Sequence, residues 1–70
     1  MTRFGVATTT VEITSTTVQR GDVIVIGGRP CRVSDLITLP RRAKRLRFST
    51  GETLTMHHET KLSATRTVRR

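Results

Sequence analysis

Four apolar residues, Val23-Ile24-Val25-Ile26, run directly into Gly27-Gly28-Arg29-Pro30, and this junction constrains the fold more than any other stretch of the chain. Glycine enters positive φ at little cost and proline interrupts a ladder, so the segment reads as a tight hairpin connection. Cys31 and Val33 then alternate with Arg32 and Ser34, the two-residue period of a strand that runs on towards Leu39. Pro40 stops that strand, Arg41 to Ala43 forms a loop, and Lys44 to Phe48 alternates again as a third strand.

The next hairpin can be given a register, because residues directly opposite in an antiparallel pair share a face. A two-residue turn at Thr50-Gly51 would set Phe48 against Thr53, apolar against polar. A three-residue loop, Ser49-Thr50-Gly51, sets Leu46 opposite Leu54 and Arg47 opposite Thr53, and Gly51 supplies the positive φ that such a loop needs at its end. The longer loop is therefore expected. It turns Leu46, Phe48, Leu54 and Met56 inward and leaves Arg45, Arg47, Thr53, Thr55 and His57 on the solvent face.

The ends are less patterned. Val11 and Ile13 alternate with Glu12 and Thr14, so Val11 to Val18 is expected as a short strand or extended lead-in behind a loose arm. Glu59-Thr60-Lys61 reads as a turn or a short helical turn, Leu62 and Ala64 begin a last short strand, and Arg66, Arg69 and Arg70 mark a basic tail. The expected organisation is a Thr-rich arm or edge strand over 1–17, a barrel over 18–64 and a tail over 65–70. No stretch shows sustained helical periodicity. About five short antiparallel strands with glycine turns predict an all-β fold, a small SH3-like barrel whose closure hides its edges.

Size sets further bounds. A chain of 70 residues is one domain, and such a domain buries only about 60% of its unfolded surface. Phe4 and Phe48 are its only rings, so Val, Ile and Leu must build the interior. An enclosed substrate cavity has no room there, which speaks against an enzyme. The single Cys31 excludes an internal disulfide, fits a reducing, cytoplasmic setting and falls on an apolar face. No apolar run approaches a membrane span, and the first residues lack the stretch of a secretory signal.

Charge gives the functional expectation. Lys and Arg number 13 against 5 Asp and Glu, a net of +8, and Arg41, Arg42, Lys44, Arg45 and Arg47 fall close together with no acidic residue among them. Such an excess calls for a polyanion: nucleic acid first, with an acidic membrane or acidic protein behind it. Arginine forks fit phosphate oxygens. Arg29 and Arg32 beside the glycine hairpin are second choices, and His57 adds a contact on the basic face. With no Tyr or Trp there is no platform for base stacking and no aromatic cage or ridge. Backbone-directed, salt-sensitive binding of DNA or RNA with weak sequence preference is the expected mode. The alternative is a protein-interaction module or small accessory subunit that docks an acidic partner, through the same face or by adding a strand to an open edge.

Other chemistry finds little support. His57 and His58 are adjacent and point to opposite faces of a strand, so no metal and no cofactor is expected. Asp22, Asp35, Glu52 and Glu59 are scattered, and Asp22 reads as a turn residue. No helix follows Gly27-Gly28, so it is not a phosphate loop.

The run from Gly21 to Asp35, GDVIVIGGRPCRVSD, resembles the amino-terminal, KOW-like SH3-like barrel of elongation factor P and the hypusine-containing translation initiation factor. There too a strand enters a glycine hairpin, a basic-Pro-Cys or similar segment opens the next strand, and a valine follows. The resemblance covers about Val18 to Phe48 and implies a barrel of a kind used on RNA, DNA or proteins. In those factors the loop after the second strand is longer, glycine-rich and carries a modified lysine. Here Pro40-Arg41-Arg42-Ala43-Lys44 has no glycine and Lys44 stands at a strand start, so that modification is not carried over.

Overall fold

A computed structural model describes residues 6–69 of the chain. It contains six strands: β1 (Val6–Ile13), β2 (Val23–Ile26), β3 (Arg29–Thr38), β4 (Lys44–Phe48), β5 (Thr53–Met56) and β6 (Leu62–Arg69), with a single 3-10 turn at Pro40–Arg42. They form one antiparallel sheet in the order β1-β6-β2-β3-β4-β5. The protein is thus all-β, a small SH3-like barrel: β2 to β5 make a meander and β6 returns to lie beside β2. The strand beyond the expected five is β1, added outside β6.

The core shows that the sheet is curled. Ile13 and Met56 come from the two outermost strands, yet both are fully buried in one cluster with Ile24, Val33, Leu46 and Phe48. In a flat sheet with strands spaced ~4.8 Å apart, those two strands would stand roughly 24 Å from each other. Wrapping brings them to a shared interior. Ser15, just past β1, fastens the wrap by donating its hydroxyl to the Arg42 carbonyl between β3 and β4.

Local sequence explains both hairpins. Ile26 faces Arg29 across a two-residue loop, Gly27-Gly28, with φ of 57° and 79°, the doubly positive geometry that matches strand twist. Pro30 does not end the ladder as expected but sits within it, opposite Val25. In a two-residue hairpin the closing pair is hydrogen-bonded and the next is not, so the N–H that proline lacks would point away from β2. The β4–β5 hairpin has the anticipated register, Leu46 opposite Leu54 and Arg47 opposite Thr53. Its loop closes with the Gly51 N–H donating to the Phe48 carbonyl at 2.8 Å, and Gly51 has φ 96°.

The middle of β3 departs from simple alternation. Val33 pairs with Phe48 and Asp35 with Arg47, so Ser34 is an extra residue in a bulge. Unbroken alternation from Val33 would send Asp35 and Ile37 into the core. The bulge shifts the phase by one, placing Leu36 inward against Leu46 and turning Asp35 and Ile37 outward.

The ends also differ from expectation. Strand β1 begins at Val6 and stops at Ile13, ahead of the expected stretch, and β6 continues through Thr65 to Arg69 where a tail was expected. The reason is mutual: β1 and β6 pair along their whole length, from Val6 opposite Arg69 to Ile13 opposite Leu62. Neither strand alone carries the pattern, because the polar stretch of each is ordered by the other's ladder. Val18 still reaches the core, from the turn after β1. The part of the expected arm before Val6, and Arg70 of the expected tail, lie outside the described residues.

Candidate nucleic-acid interface

Alternation along β4 buries Leu46 and Phe48 and turns Arg45 and Arg47 out. Cross-strand neighbours extend two outward rows: Ile37, Arg45 and Thr55 in one, Asp35, Arg47 and Thr53 in the other. Arg32, on β3 before the bulge, has the outward phase opposite buried Cys31 and Val33 and is exposed. The Ser49 N–H donates to the Arg32 carbonyl at 2.9 Å, which sets this arginine beside the β4–β5 hairpin. Arg32, Arg45 and Arg47 therefore share the outer face of the sheet with the hydroxyls of Thr53 and Thr55.

One acid stands on that face. The sequence run has no acidic neighbour, but the register puts Asp35 opposite Arg47. Its carboxylate accepts from Arg20 Nη2 at 3.3 Å, so Arg20 answers that charge.

The remaining predicted residues occupy other places. Arg41 and Arg42 lie at the end of the sheet and both have positive φ, 61° and 62°. That conformation costs a residue with a Cβ roughly 1 kcal/mol or more, so the surrounding contacts must enforce it. They include the Ser15 bond to the Arg42 carbonyl, the Ala43 N–H to the Pro40 carbonyl at 3.2 Å and the Leu39 N–H to the Ala43 carbonyl at 3.0 Å. His57 lines a cleft with Arg41, Leu39 and Thr55, and His58 lines a neighbouring one with Arg41 and Arg42. His57 thus stands between Thr55 of the outer face and Arg41 of the loop. Lys44 is half-buried in the inward row of Thr38 and Met56, and its Nζ reaches Thr38 Oγ1 at 3.5 Å. Arg29 shares the phase of Ile26 and Cys31, so it leaves the hairpin tip on the other side from Arg32.

The eight residues thus fall into an outer strip of Arg32, Arg45 and Arg47, a loop cluster of Arg41, Arg42 and His57, and two outliers, Lys44 and Arg29. The ion pairs among the described residues involve Arg20, His58 and Arg66 instead. Cys31 is buried. Among the described residues no three metal-ligating side chains come together, and no helix is long and apolar enough to cross a membrane.

Sequence reasoning missed one polar constellation. Arg66 falls within the expected basic tail, but it holds the buried Asp22 in a two-point contact, Nε to Oδ1 at 2.8 Å and Nη2 to Oδ2 at 2.9 Å. Nη2 also donates to the Thr17 carbonyl at 3.1 Å, and the Gln19 N–H donates to Asp22 Oδ2 at 2.9 Å. Burial by itself would raise the Asp22 pKa. The Arg66 hydrogen bonds, the Gln19 N–H and the guanidinium charge outweigh it and hold the carboxyl below its ordinary 3.8. In return the carboxylate raises the pKa of Arg66 against its own desolvation. Asp22 is indeed in a turn, closed by its own N–H to the Gln19 carbonyl. The only local hint of a further role was an acid placed directly before an all-apolar strand.

Compared with protein families, curated proteins and solved structures, the chain matches none.

Proposed function

We propose that this protein binds DNA or RNA without catalysis, holding the sugar-phosphate backbone on the outer strip of Arg32, Arg45 and Arg47. The observation that supports this reading is that these three arginines are exposed on one face and form no ion pair among the described residues, in a molecule of net charge +8. Arg45 and Arg47 follow each other at a spacing of roughly 7 Å along β4, with Thr53 and Thr55 hydroxyls beside them as further donors. Arg41 and Arg42 continue the positive charge past the start of β4, where the enforced loop presents their side chains to solvent, and His57 lies beside Arg41 as a further polar contact.

Affinity in this mode comes from counterion release, so it falls steeply with salt and varies little with sequence. Fluorescence anisotropy with arbitrary labelled duplex and single-stranded RNA, titrated with salt, tests it directly. The expected result is a linear fall of log affinity with log salt for both probes. Absence of binding at low salt would overturn the reading and favour an acidic protein on the same face.

A further inference from the structure

We infer that β1 is a pairing edge, and that its partner is β1 of a second copy of this chain. Beyond Thr65, which faces Val23, β6 has no third strand among the described residues, so the outer part of the β1–β6 pair is there a two-stranded ribbon. Thr8 and Thr10 lie on one of its faces and Thr9 on the other, and all three are exposed. Two-stranded ribbons without a core behind them are marginal in water, and an added strand is what this one lacks.

Apart from the charge of Glu12, the edge as described over β1 carries none of the usual defences. Proteins blunt exposed edges with Lys, Pro, bulges or brevity. Strand β1 is eight residues long, contains no Lys, Arg, Pro or Gly, and keeps an unbroken register with β6. The other outermost strand, β5, has four residues and lies beside the arginines of β4. Charge selects the occupant. From Phe4 to Gln19 there is no cation and the only charge is Glu12, whereas the whole chain carries +8. Two copies that meet here bring no cation of β1 against another.

Antiparallel pairing centred on Thr9 places Thr8 opposite Thr10 and Ala7 opposite Val11. It keeps the two Glu12 side chains apart and sets threonines in favourable cross-strand contact. Opposed residues share a face, so the twofold axis is normal to the sheet and the outer faces of both copies look the same way. The pairing stands independently of the nucleic-acid reading, and the test uses no nucleic acid.

Sedimentation equilibrium over a range of concentrations should show a reversible dimer. Thr8→Lys with Thr10→Lys, which puts cations on the pairing strand, should weaken it by about tenfold or more. The control pair Thr53→Lys with Thr55→Lys on β5 should leave it unchanged. Thr9→Cys should form an interchain disulfide on mild oxidation far faster than Thr53→Cys, with Cys31 buried and not competing. A wild type that stays monomeric throughout overturns the inference. So does association that responds to the β5 variants, or a Thr9→Cys protein that cross-links no faster than the control.

Discussion

Arg47 and Arg66 are the same residue type on the same curled sheet, and their surroundings are opposite. Arg47 takes the outward phase of β4, among threonines and a carboxylate already engaged by Arg20. Arg66 takes the inward phase of β6, shared with Leu62 and Ala64, and meets a carboxylate that is 1% exposed. One cation is free for a partner in solution and the other is consumed in holding the fold. A count of basic residues therefore overstates the binding surface. Strand phase and the position of a few acids decide which arginines remain available.

Asp22→Ala probes that contrast most severely. It leaves Arg66 and the Gln19 N–H without their buried acceptor, and breaking such a pair costs about 3 kcal/mol. Much of the stability of a domain this small would go, since the usual total is only about 5 kcal/mol or somewhat more. Urea denaturation should show a large drop in midpoint, whereas Arg47→Ala should move it little. Equal losses for the two variants would mean that the Asp22–Arg66 pair holds the fold no more than an exposed arginine does.

Arg45→Glu with Arg47→Glu tests the other side. Stability should change by about 0.5 kcal/mol or less, as for most surface substitutions. Nucleic-acid affinity at low salt should fall at least tenfold, and the log–log salt slope should shrink by about two for two lost phosphate contacts. Undiminished binding by this folded variant would show that the outer strip is not the contact surface.

Ser15→Ala bears on the loop cluster. Removing the hydroxyl that holds the Arg42 carbonyl should cost about 1 kcal/mol in thermal or urea unfolding. Binding should weaken by a smaller factor than in the strand double variant, because Arg41 and Arg42 keep their charge and lose only enforced placement. A larger binding defect than that of the strand variant would move the centre of the interface to the loop.

The mildest effect near neutrality is the response to acid. The folded Asp22 carboxyl titrates below its ordinary 3.8, so the native state binds fewer protons than the unfolded chain in that range. The stability it contributes is fully present above the unfolded value and drains away as pH falls through the folded one. Urea midpoints followed from pH 6 to pH 2 should therefore fall more in the wild type than in Asp22→Asn. Parallel curves would mean that Asp22 is no better stabilised in the fold than in the open chain.

Much of the fold was legible because its signals are local. The Gly27-Gly28 turn, the bounds of β2 and β4 and the β4–β5 register follow from steric freedom at glycine and from which side chains can share a face. The burial of Cys31 and Phe48 and the outward phase of Arg45 and Arg47 follow from alternation. Lys44 stands in the inward row, unlike its arginine neighbours, and Arg29 and Arg32, three strand positions apart, point to opposite faces. His57, expected on the strand face, lines a cleft with Thr55 of that face and with Arg41 of the loop.

By itself, then, the sequence determined an all-β chain, its hairpins and an excess of outward cations, since periodicity and turn sterics act over a few residues. Tertiary structure alone decided that β1 pairs with β6, that a bulge at Ser34 exchanges the faces of β3, and that Asp22 closes on Arg66 across 44 positions. Each depends on which distant segments the curled sheet brings together. That choice is made by the shared core and by the need to satisfy buried polar groups, and no local pattern records it.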